Sequence, residues 1–304
     1  MASKLTFVII ICMALSLTGA GCVQSAPGTP VEQQPEPGYT PPPAIVTPDV
    51  AADDDGVTAS LHFINVGKAD AALVRVGKSY YLIDTGTKAS YPALKASLGK
   101  IGVTELEAVF ITHAHDDHIG GLKKLAEDFE IGMIYGAQLA LPNKSGENKT
   151  VKRANKSELP CTLLNAGDTV DGLFTVLGPV VLNEDDDNDN SLVLMFEVNG
   201  VKALFTGDMQ FAEELTLLSA STPVKADILK VGNHGNPDAT SDEFGAAVSP
   251  RYAVISTDTA EDADSANPRV YAALGTAEIY VTEAAADNIV MSISAGGDIT
   301  PGVF

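Results

Sequence analysis

The segment from His113 to His118 reads H-A-H-D-D-H and holds three of the five histidines of this 304-residue chain. Imidazole and carboxylate side chains are common ligands for zinc, and they also suit iron and manganese. Imidazoles two residues apart, as in His113 and His115, can project together. Asp117 and His118 can then reach a second point nearby. The segment therefore predicts a metal site.

Two later segments predict further ligands. An apolar run at 204–206 leads to Gly207-Asp208, and a second run at 228–231 leads to Gly232-Asn233-His234. Each residue alone is more typical of a turn or of a structural histidine. Both follow strand-like runs, as His113 does, and the ends of strands can meet at one edge of a fold. Together they predict a binuclear site.

The elements that must position these residues alternate between short apolar runs and helical patterns. The run at 106–112 is almost continuously apolar, which is typical of a strand buried on both faces. Two groups of strands with interspersed helices predict two sheets, each covered by helices on its outer face. The predicted strands are 61–66, 71–76, 79–83, 106–112, 131–134, 173–177, 192–198, 202–205, 228–231, 252–256, 278–281 and 289–294, and the predicted helices are 91–98, one from about 121, 212–219, 241–248 and 269–274.

Composition excludes several classes of protein. Nineteen Lys and Arg against 40 Asp and Glu give a net charge of −21, which argues against gripping nucleic acid through the overall field of the protein. Three cysteines cannot form a disulfide framework. The segment 142–160 is locally basic and is predicted to be a loop or surface helix that acts as a lid. This segment or Lys230 is expected to meet an anionic substrate.

The N-terminal region is predicted to lie outside the fold. Lys4 and the apolar run 5–17 within residues 1–22 are typical of an export signal, and Cys22 suggests lipidation. Cleavage near Ala20 and an uncleaved anchor are the alternatives. Residues 23–56 hold eight of the 17 prolines and are predicted to be a disordered linker. A hydrolase domain is predicted over 57–304, outside the cytoplasmic membrane, with membrane contact only through the N-terminal anchor.

A collinear set of motifs resembles the metallo-β-lactamase superfamily, and within it the hydrolase domain of the DNA-uptake protein ComEC and its secreted stand-alone relatives. The resemblance covers about 60–285 and implies a four-layer αββα sandwich. The motifs are V-G-x-x-D at 66–70, I-D-x-G at 83–86, T-H-x-H-x-D-H at 112–118, A-G-D at 166–168, N-x-x-S-L-V-L at 188–194, T-G-D at 206–208 and L-K-V-x-x-H-G at 229–235.

The resemblance also implies a ligand set for two divalent metal ions, zinc or alternatively manganese or iron. His113 and His115 would hold the first ion, while Asp117, His118 and His234 would hold the second. Asp208 would bridge the two ions, and Asp84 would orient the histidine loop from outside. Asp117 and Asp208 are the residues expected to act in catalysis.

The chain departs from the family pattern at three positions. No histidine lies between the 113–118 cluster and Asp208, so Asn188 or Asp189 is the expected substitute ligand for the first ion. Asn233 replaces the first histidine of a usual pair, and Asn267 replaces the histidine of a usual His-Pro pair. These departures predict lower or altered activity.

The resemblance implies a hydrolase that acts on a phosphodiester in a nucleic acid (DNA or RNA), a nucleotide or a phosphate-bearing polymer. Two alternatives remain open at this point. One is the hydrolysis of acyl or lactone bonds, including β-lactams. The other is a non-catalytic surface metal-binding lipoprotein with a degenerate site.

Overall fold

The computed structural model describes residues 56–304. The predicted export signal, the lipidation site Cys22 and nearly all of the predicted linker lie outside these residues. None of the helices within 56–304 has both the length and the apolar character needed to cross a bilayer.

The first sheet has eight strands, numbered like all elements along the chain, in the order β15-β14-β1-β2-β3-β4-β5-β6. Strands β1 to β3 form an antiparallel meander, and β3 to β6 run parallel. The bounds are β1 Val57–Ile64, β2 Ala72–Val76, β3 Ser79–Ile83, β4 Glu105–Ile111, β5 Glu130–Ala137, β6 Cys161–Leu164, β14 Asn288–Ser294 and β15 Ile299–Val303.

The second sheet has seven strands in the order β13-β12-β11-β10-β9-β8-β7. Strands β10 to β13 run parallel, whereas β7 to β10 pair antiparallel. The bounds are β7 Thr169–Val170, β8 Phe174–Gly178, β9 Val193–Val198, β10 Val201–Phe205, β11 Ile228–Lys230, β12 Tyr252–Ile255 and β13 Glu278–Val281.

Within residues 56–304, seven α-helices lie between the strands, and three of them begin with a side-chain cap. Asn148 accepts the backbone N–H groups of Thr150 and Val151, and Ser241 caps α6 in the same manner. The bounds are α1 Tyr91–Ile101, α2 Asp116–Ile119, α3 Leu122–Asp128, α4 Lys149–Lys156, α5 Phe211–Ser219, α6 Asp242–Val248 and α7 Pro268–Ala273, and 3₁₀ turns cover Asn188–Asn190, Gly232–Gly235 and Thr282–Ala284.

Three buried apolar clusters separate the layers. The central cluster lies between the sheets and draws residues from β1, β4, β9 and β10, with Phe63 and Phe205 stacked at 6.0 Å between ring centroids. The second cluster packs α1 and α3 on the outer face of the first sheet, and the third packs α5, α6 and α7 on the second sheet. The predicted αββα sandwich is therefore confirmed.

The strands that the hydrophobic pattern missed are short or lie at sheet edges. Strand β7 has two residues, and β6 and β15 are the edge strands of the first sheet. Polar and small residues interrupt these segments, so no run of apolar residues marks them in the sequence. The basic segment 142–160 contains one surface helix, α4.

Glu213 on α5 gives the fold a pH dependence. Its side chain is buried and accepts the backbone N–H of Val180 at 2.8 Å. Burial raises the pKa of Glu213 to about 7 from 4.5, and Asp189 adds to the rise. The pKa is thus higher in the folded chain than in the unfolded chain. The contribution of Glu213 to stability is therefore fully present below pH 4.5 and is lost as the pH rises through 7.

We expect the free energy of unfolding of Glu213→Gln to increase relative to that of wild type when the pH is raised from 5 to 8. The increase should be up to about 3 kcal/mol. The amide keeps an oxygen for Val180 but does not ionise. Urea unfolding at both pH values measures the difference. Glu243→Gln, at an exposed position on α6, is the matched control and should show no such change. An equal change in both variants would contradict the assignment to Glu213.

Candidate metal centre

The ends of four parallel strands bring the predicted site residues together. Asp84 directly follows β3, and His113 lies two residues after β4 in the first sheet. Asp208 and His234 follow β10 and β11, which are neighbours in the second sheet. The two sheets face each other, so all four side chains meet at one edge of the sandwich.

Asp208 lies at the middle of this cluster. Its Oδ2 atom is 3.1 Å from His118 Nε2, 3.4 Å from His234 Nε2 and 3.9 Å from His113 Nε2. Asp117 also belongs to the cluster, and its Oδ2 atom lies 3.4 Å from His234 Nε2. One ligand atom each from Asp117, His118, Asp208 and His234 lies within 4.8 Å of the others.

His113 and His115 form the other side of the cluster. His113 Nε2 lies 2.9 Å from His115 Nδ1, and the rings of His113 and His118 are 4.1 Å apart between centroids. The cluster thus has two lobes that share Asp208, one with His113 and His115 and one with Asp117, His118 and His234.

Outer contacts fix the orientation of two imidazoles. Asp84 Oδ2 lies 2.8 Å from His118 Nδ1 and also accepts the hydroxyl of Thr112 at 2.7 Å. His234 Nδ1 lies 2.8 Å from the backbone oxygen of Ser256. Since both oxygens are acceptors, in the neutral form of each ring Nδ1 carries the proton and Nε2 presents its lone pair to the cluster. This arrangement is the one that metal-ligating histidines need.

The donor set fits divalent metal ions. His118 Nε2, His234 Nε2 and Asp208 Oδ1 are buried and form no hydrogen bond with any residue of 56–304. Buried polar atoms without partners are costly, so such a group implies a ligand. Imidazole nitrogens combined with carboxylate oxygens suit zinc, and also iron or manganese.

The electrostatics of the cluster also favour a cation. Burial lowers the pKa of His118, but the carboxylates of Asp208 and Asp84 outweigh burial and raise it well above its usual value. The pKa of His234 rises to about 9, because Asp208 and Asp117 outweigh the effect of burial. The carboxylates thus attract positive charge into a buried site.

Asp70 and Lys230 form a buried ion pair behind this cluster, with 2.6 Å between Asp70 Oδ2 and Lys230 Nζ. Asp70 Oδ1 lies 3.6 Å from His234 Nδ1. The expectation that Lys230 meets a substrate is wrong, because its side chain is only 4% exposed and is held by Asp70 and the backbone oxygen of Val231. A lysine inside the apolar run 228–231 was the sequence signal for this buried pair.

The proposed substitute ligands lie in the 3₁₀ turn before β9. Asp189 Oδ1 accepts the backbone N–H groups of Gln210 and Glu213, and its Oδ2 accepts the amide of Asn183. Asp189 therefore caps the start of α5, and its hydrogen bonds within residues 56–304 do not involve the histidine cluster. Asn188 has a buried Oδ1 atom that forms no hydrogen bond in the described part of the chain. The next hydroxyl, that of Ser191, lies 3.4 Å from His113 Nδ1 and accepts the backbone N–H of Asp208.

We expect Asp189→Ala to lower the free energy of unfolding by about 1–2 kcal/mol, because α5 loses its cap. Metal content of the purified variant should equal that of wild type, and both quantities are measured on the same preparation by urea unfolding and elemental analysis. Asp185→Ala, in the same loop but exposed, should change neither quantity. A loss of one metal equivalent with unchanged stability would restore Asp189 as a ligand.

The two asparagines that replace family histidines have structural contacts. Asn233 donates its amide to Asp238 Oδ1 at 2.9 Å and adopts a positive φ of 43°, a conformation that asparagine tolerates. Asn267 caps α7, and its backbone N–H bonds to the oxygen of Gly235. Asn267 therefore lies beside the His234 turn without supplying an imidazole.

Gly207 is required where the sheets approach each other. Its φ is +53°, and an added Cβ atom would lie 2.8 Å from Thr112 Cβ and 2.9 Å from Ser191 Cβ. Only glycine fits such a left-handed and crowded position. This close approach brings Asp208 to the loop of His113.

A family model for the metallo-beta-lactamase superfamily matches residues 64–259, well over half of the chain. The chain therefore belongs to this superfamily, whose fold is the sandwich described above. The metallo-beta-lactamase fold protein YhfI from Bacillus subtilis superposes with a TM-score of 0.51 at 12% identity, over 80% of this chain and 99% of that one. At that identity the likeness concerns the fold alone.

Two curated proteins are similar to this chain over part of its length. ComE operon protein 3 of Bacillus subtilis is 28% identical over 218 residues, which cover 64% of this chain and 27% of that protein. Competence protein ComA of Neisseria gonorrhoeae is 30% identical over 195 residues, which cover 64% of this chain and 26% of that protein. The resemblance to ComEC-type proteins is confirmed, and the chain spans about a quarter of the length of these relatives.

Proposed function

We propose that this protein is a metal-dependent phosphodiesterase that acts outside the cytoplasm. The observation that carries the proposal is the position of the Lys68 ammonium group at the edge of the candidate metal centre. Lys68 Nζ lies 3.0 Å from Asp117 Oδ2, and its side chain is 27% exposed. A partly exposed ammonium group beside a metal ligand is suited to hold an anionic oxygen of a substrate.

The residues of the centre have three roles, which are to hold metal ions, to orient imidazoles and to bind substrate. His113, His115 and Asp208 would hold one divalent ion, and Asp117, His118, His234 and Asp208 would hold a second. Bound there, the ions would lower the pKa of a water and offset charge on the ester oxygens. Asp84 and the backbone oxygen of Ser256 keep two imidazoles in the required tautomer, and Lys68 orients the anionic substrate.

Hydrolysis of bis-p-nitrophenyl phosphate by the zinc- or manganese-loaded protein tests this function. We expect metal-dependent turnover that is lost in His115→Ala, and Lys68→Met should raise KM more than it lowers kcat. Nitrocefin, a β-lactam, tests the acyl-hydrolase alternative on the same preparation. Absence of phosphodiester turnover in protein shown to contain metal would overturn the proposal, and turnover of nitrocefin alone would favour the alternative.

The location is supported by the pattern of residues 1–22 and by the kinship with competence proteins. We propose export followed by acylation of Cys22. When the full-length chain is produced in a bacterium, labelled palmitate should appear in the wild type and not in Cys22→Ala. Label in neither chain would contradict acylation of Cys22, and recovery of the wild type from the cytoplasm would contradict the location.

A further inference from the structure

The imidazole of His113 is oriented differently from those of His118 and His234. The Nδ1 atoms of His118 and His234 face a carboxylate and a backbone oxygen, which can only accept a hydrogen bond. The Nδ1 atom of His113 instead faces two hydroxyl oxygens, that of Thr112 at 3.3 Å and that of Ser191 at 3.4 Å. Because a hydroxyl can donate or accept, these two distances alone leave the tautomer of His113 open.

The other contacts of Thr112 decide the direction of its bond to His113. The Thr112 hydroxyl donates to Asp84 Oδ2 at 2.7 Å, and the Thr112 backbone N–H donates to Asp84 Oδ1 at 2.8 Å. Since the single hydroxyl proton lies in the bond to the carboxylate, Thr112 Oγ1 offers only lone pairs to His113. In the neutral ring, His113 Nδ1 is therefore the donor, and Nε2 presents its lone pair to His115 and Asp208.

The fold holds the Thr112 hydroxyl in this position. Thr112 is buried, and its branched Cβ atom restricts the side-chain rotamer. Its backbone oxygen accepts the N–H of Leu192 at 2.8 Å, which ties it to the second sheet. A Cβ atom on Gly207 would lie 2.8 Å from Thr112 Cβ, so the missing side chain of this glycine leaves the room that Thr112 occupies.

We propose that Thr112 is a positioning residue that relays the carboxylate of Asp84 to His113. Asp84 thereby orients one imidazole in each lobe, His118 directly and His113 through the hydroxyl. The bond to the carboxylate makes the hydroxyl oxygen a stronger acceptor, because hydrogen bonds in a chain polarise one another. The inference rests on the metal centre of the proposed function and is independent of the substrate.

The first test is a zinc titration of the full-length chain in competition with a chromophoric chelator. Thr112→Val keeps the shape of the side chain and removes the hydroxyl. It should weaken binding of the ion held by His113 and His115 by about 10–100-fold, the usual cost of losing such a partner. The ion beside His118 should change less than about threefold, because Asp84 still contacts His118 directly. Thr112→Ser restores the hydroxyl and should recover most of the affinity.

The second test reads the tautomer without metal. Long-range ¹H–¹⁵N spectra of the metal-free chain, which has five histidines, report which ring nitrogen carries the proton. His113 of the wild type should be protonated at Nδ1, and in Thr112→Val the form protonated at Nε2 should gain population. A purely structural role of Thr112 would leave this tautomer unchanged.

Thr58→Val is the matched control, since Thr58 is buried at the start of β1 and its hydroxyl donates to the backbone oxygen of Ile293 at 3.1 Å. It should leave both zinc affinities and the His113 tautomer as in wild type. Equal weakening of both ions in Thr112→Val, the same loss in Thr58→Val, or no recovery in Thr112→Ser would overturn the relay. Neither measurement uses a substrate, so failure of the relay and failure of the phosphodiesterase function are distinguishable.

Discussion

Asp208→Asn should abolish metal-dependent hydrolysis and remove most of the bound metal. The substitution keeps the size of the side chain and the backbone contact to Ser191, but it removes the charge that the two lobes of the cluster share. Changing an outer partner of a metal ligand costs about 10–100-fold in affinity or activity. Loss of the shared ligand itself should exceed that, and elemental analysis together with bis-p-nitrophenyl phosphate turnover measures both effects.

The matched control is Asp227→Asn, a carboxylate beside the opposite end of β11 that accepts the backbone N–H of Lys202. It should keep its metal and its activity. Full metal occupancy in Asp208→Asn would contradict the central place assigned to this residue. Loss of activity with retained metal would instead assign Asp208 to the handling of protons or substrate.

Lys230→Met should lower the free energy of unfolding by about 3–5 kcal/mol, because it leaves the carboxylate of Asp70 buried without its counter-ion. Both side chains are nearly inaccessible, at 4% and 6% exposure. Asp70 also lies near the protonated Nδ1 of His234, so its displacement would disturb the metal centre. Urea unfolding of the metal-free protein isolates the stability effect from any loss of metal.

A double variant, Asp70→Asn/Lys230→Met, should recover part of the lost stability, because no unpaired buried charge remains. Lys202→Met is the control on the neighbouring strand, where Lys202 forms a 3.6 Å pair with Glu197 at the surface. Its cost should be at most about 1 kcal/mol. If Lys230→Met and Lys202→Met cost the same, the Asp70–Lys230 pair has no special role in stability.

The amino-acid sequence by itself determined the class of the fold and the identity of the central cluster. Strand segments buried on both faces, such as the second half of β4 from Ala108 to Ile111, appear as continuous apolar runs, and the polar residues that follow them stand out against that background. For this reason His113, Asp208 and His234 were recognisable without coordinates. The order of the motifs along the chain was enough to predict the superfamily.

The tertiary structure decided which charged residues belong to the site and which support the fold. Asp189 and Lys230 have the residue types expected of a ligand and of a substrate-binding cation, yet one caps α5 and the other pairs with Asp70. These roles depend on contacts between residues 21 to 160 positions apart, which no local pattern encodes.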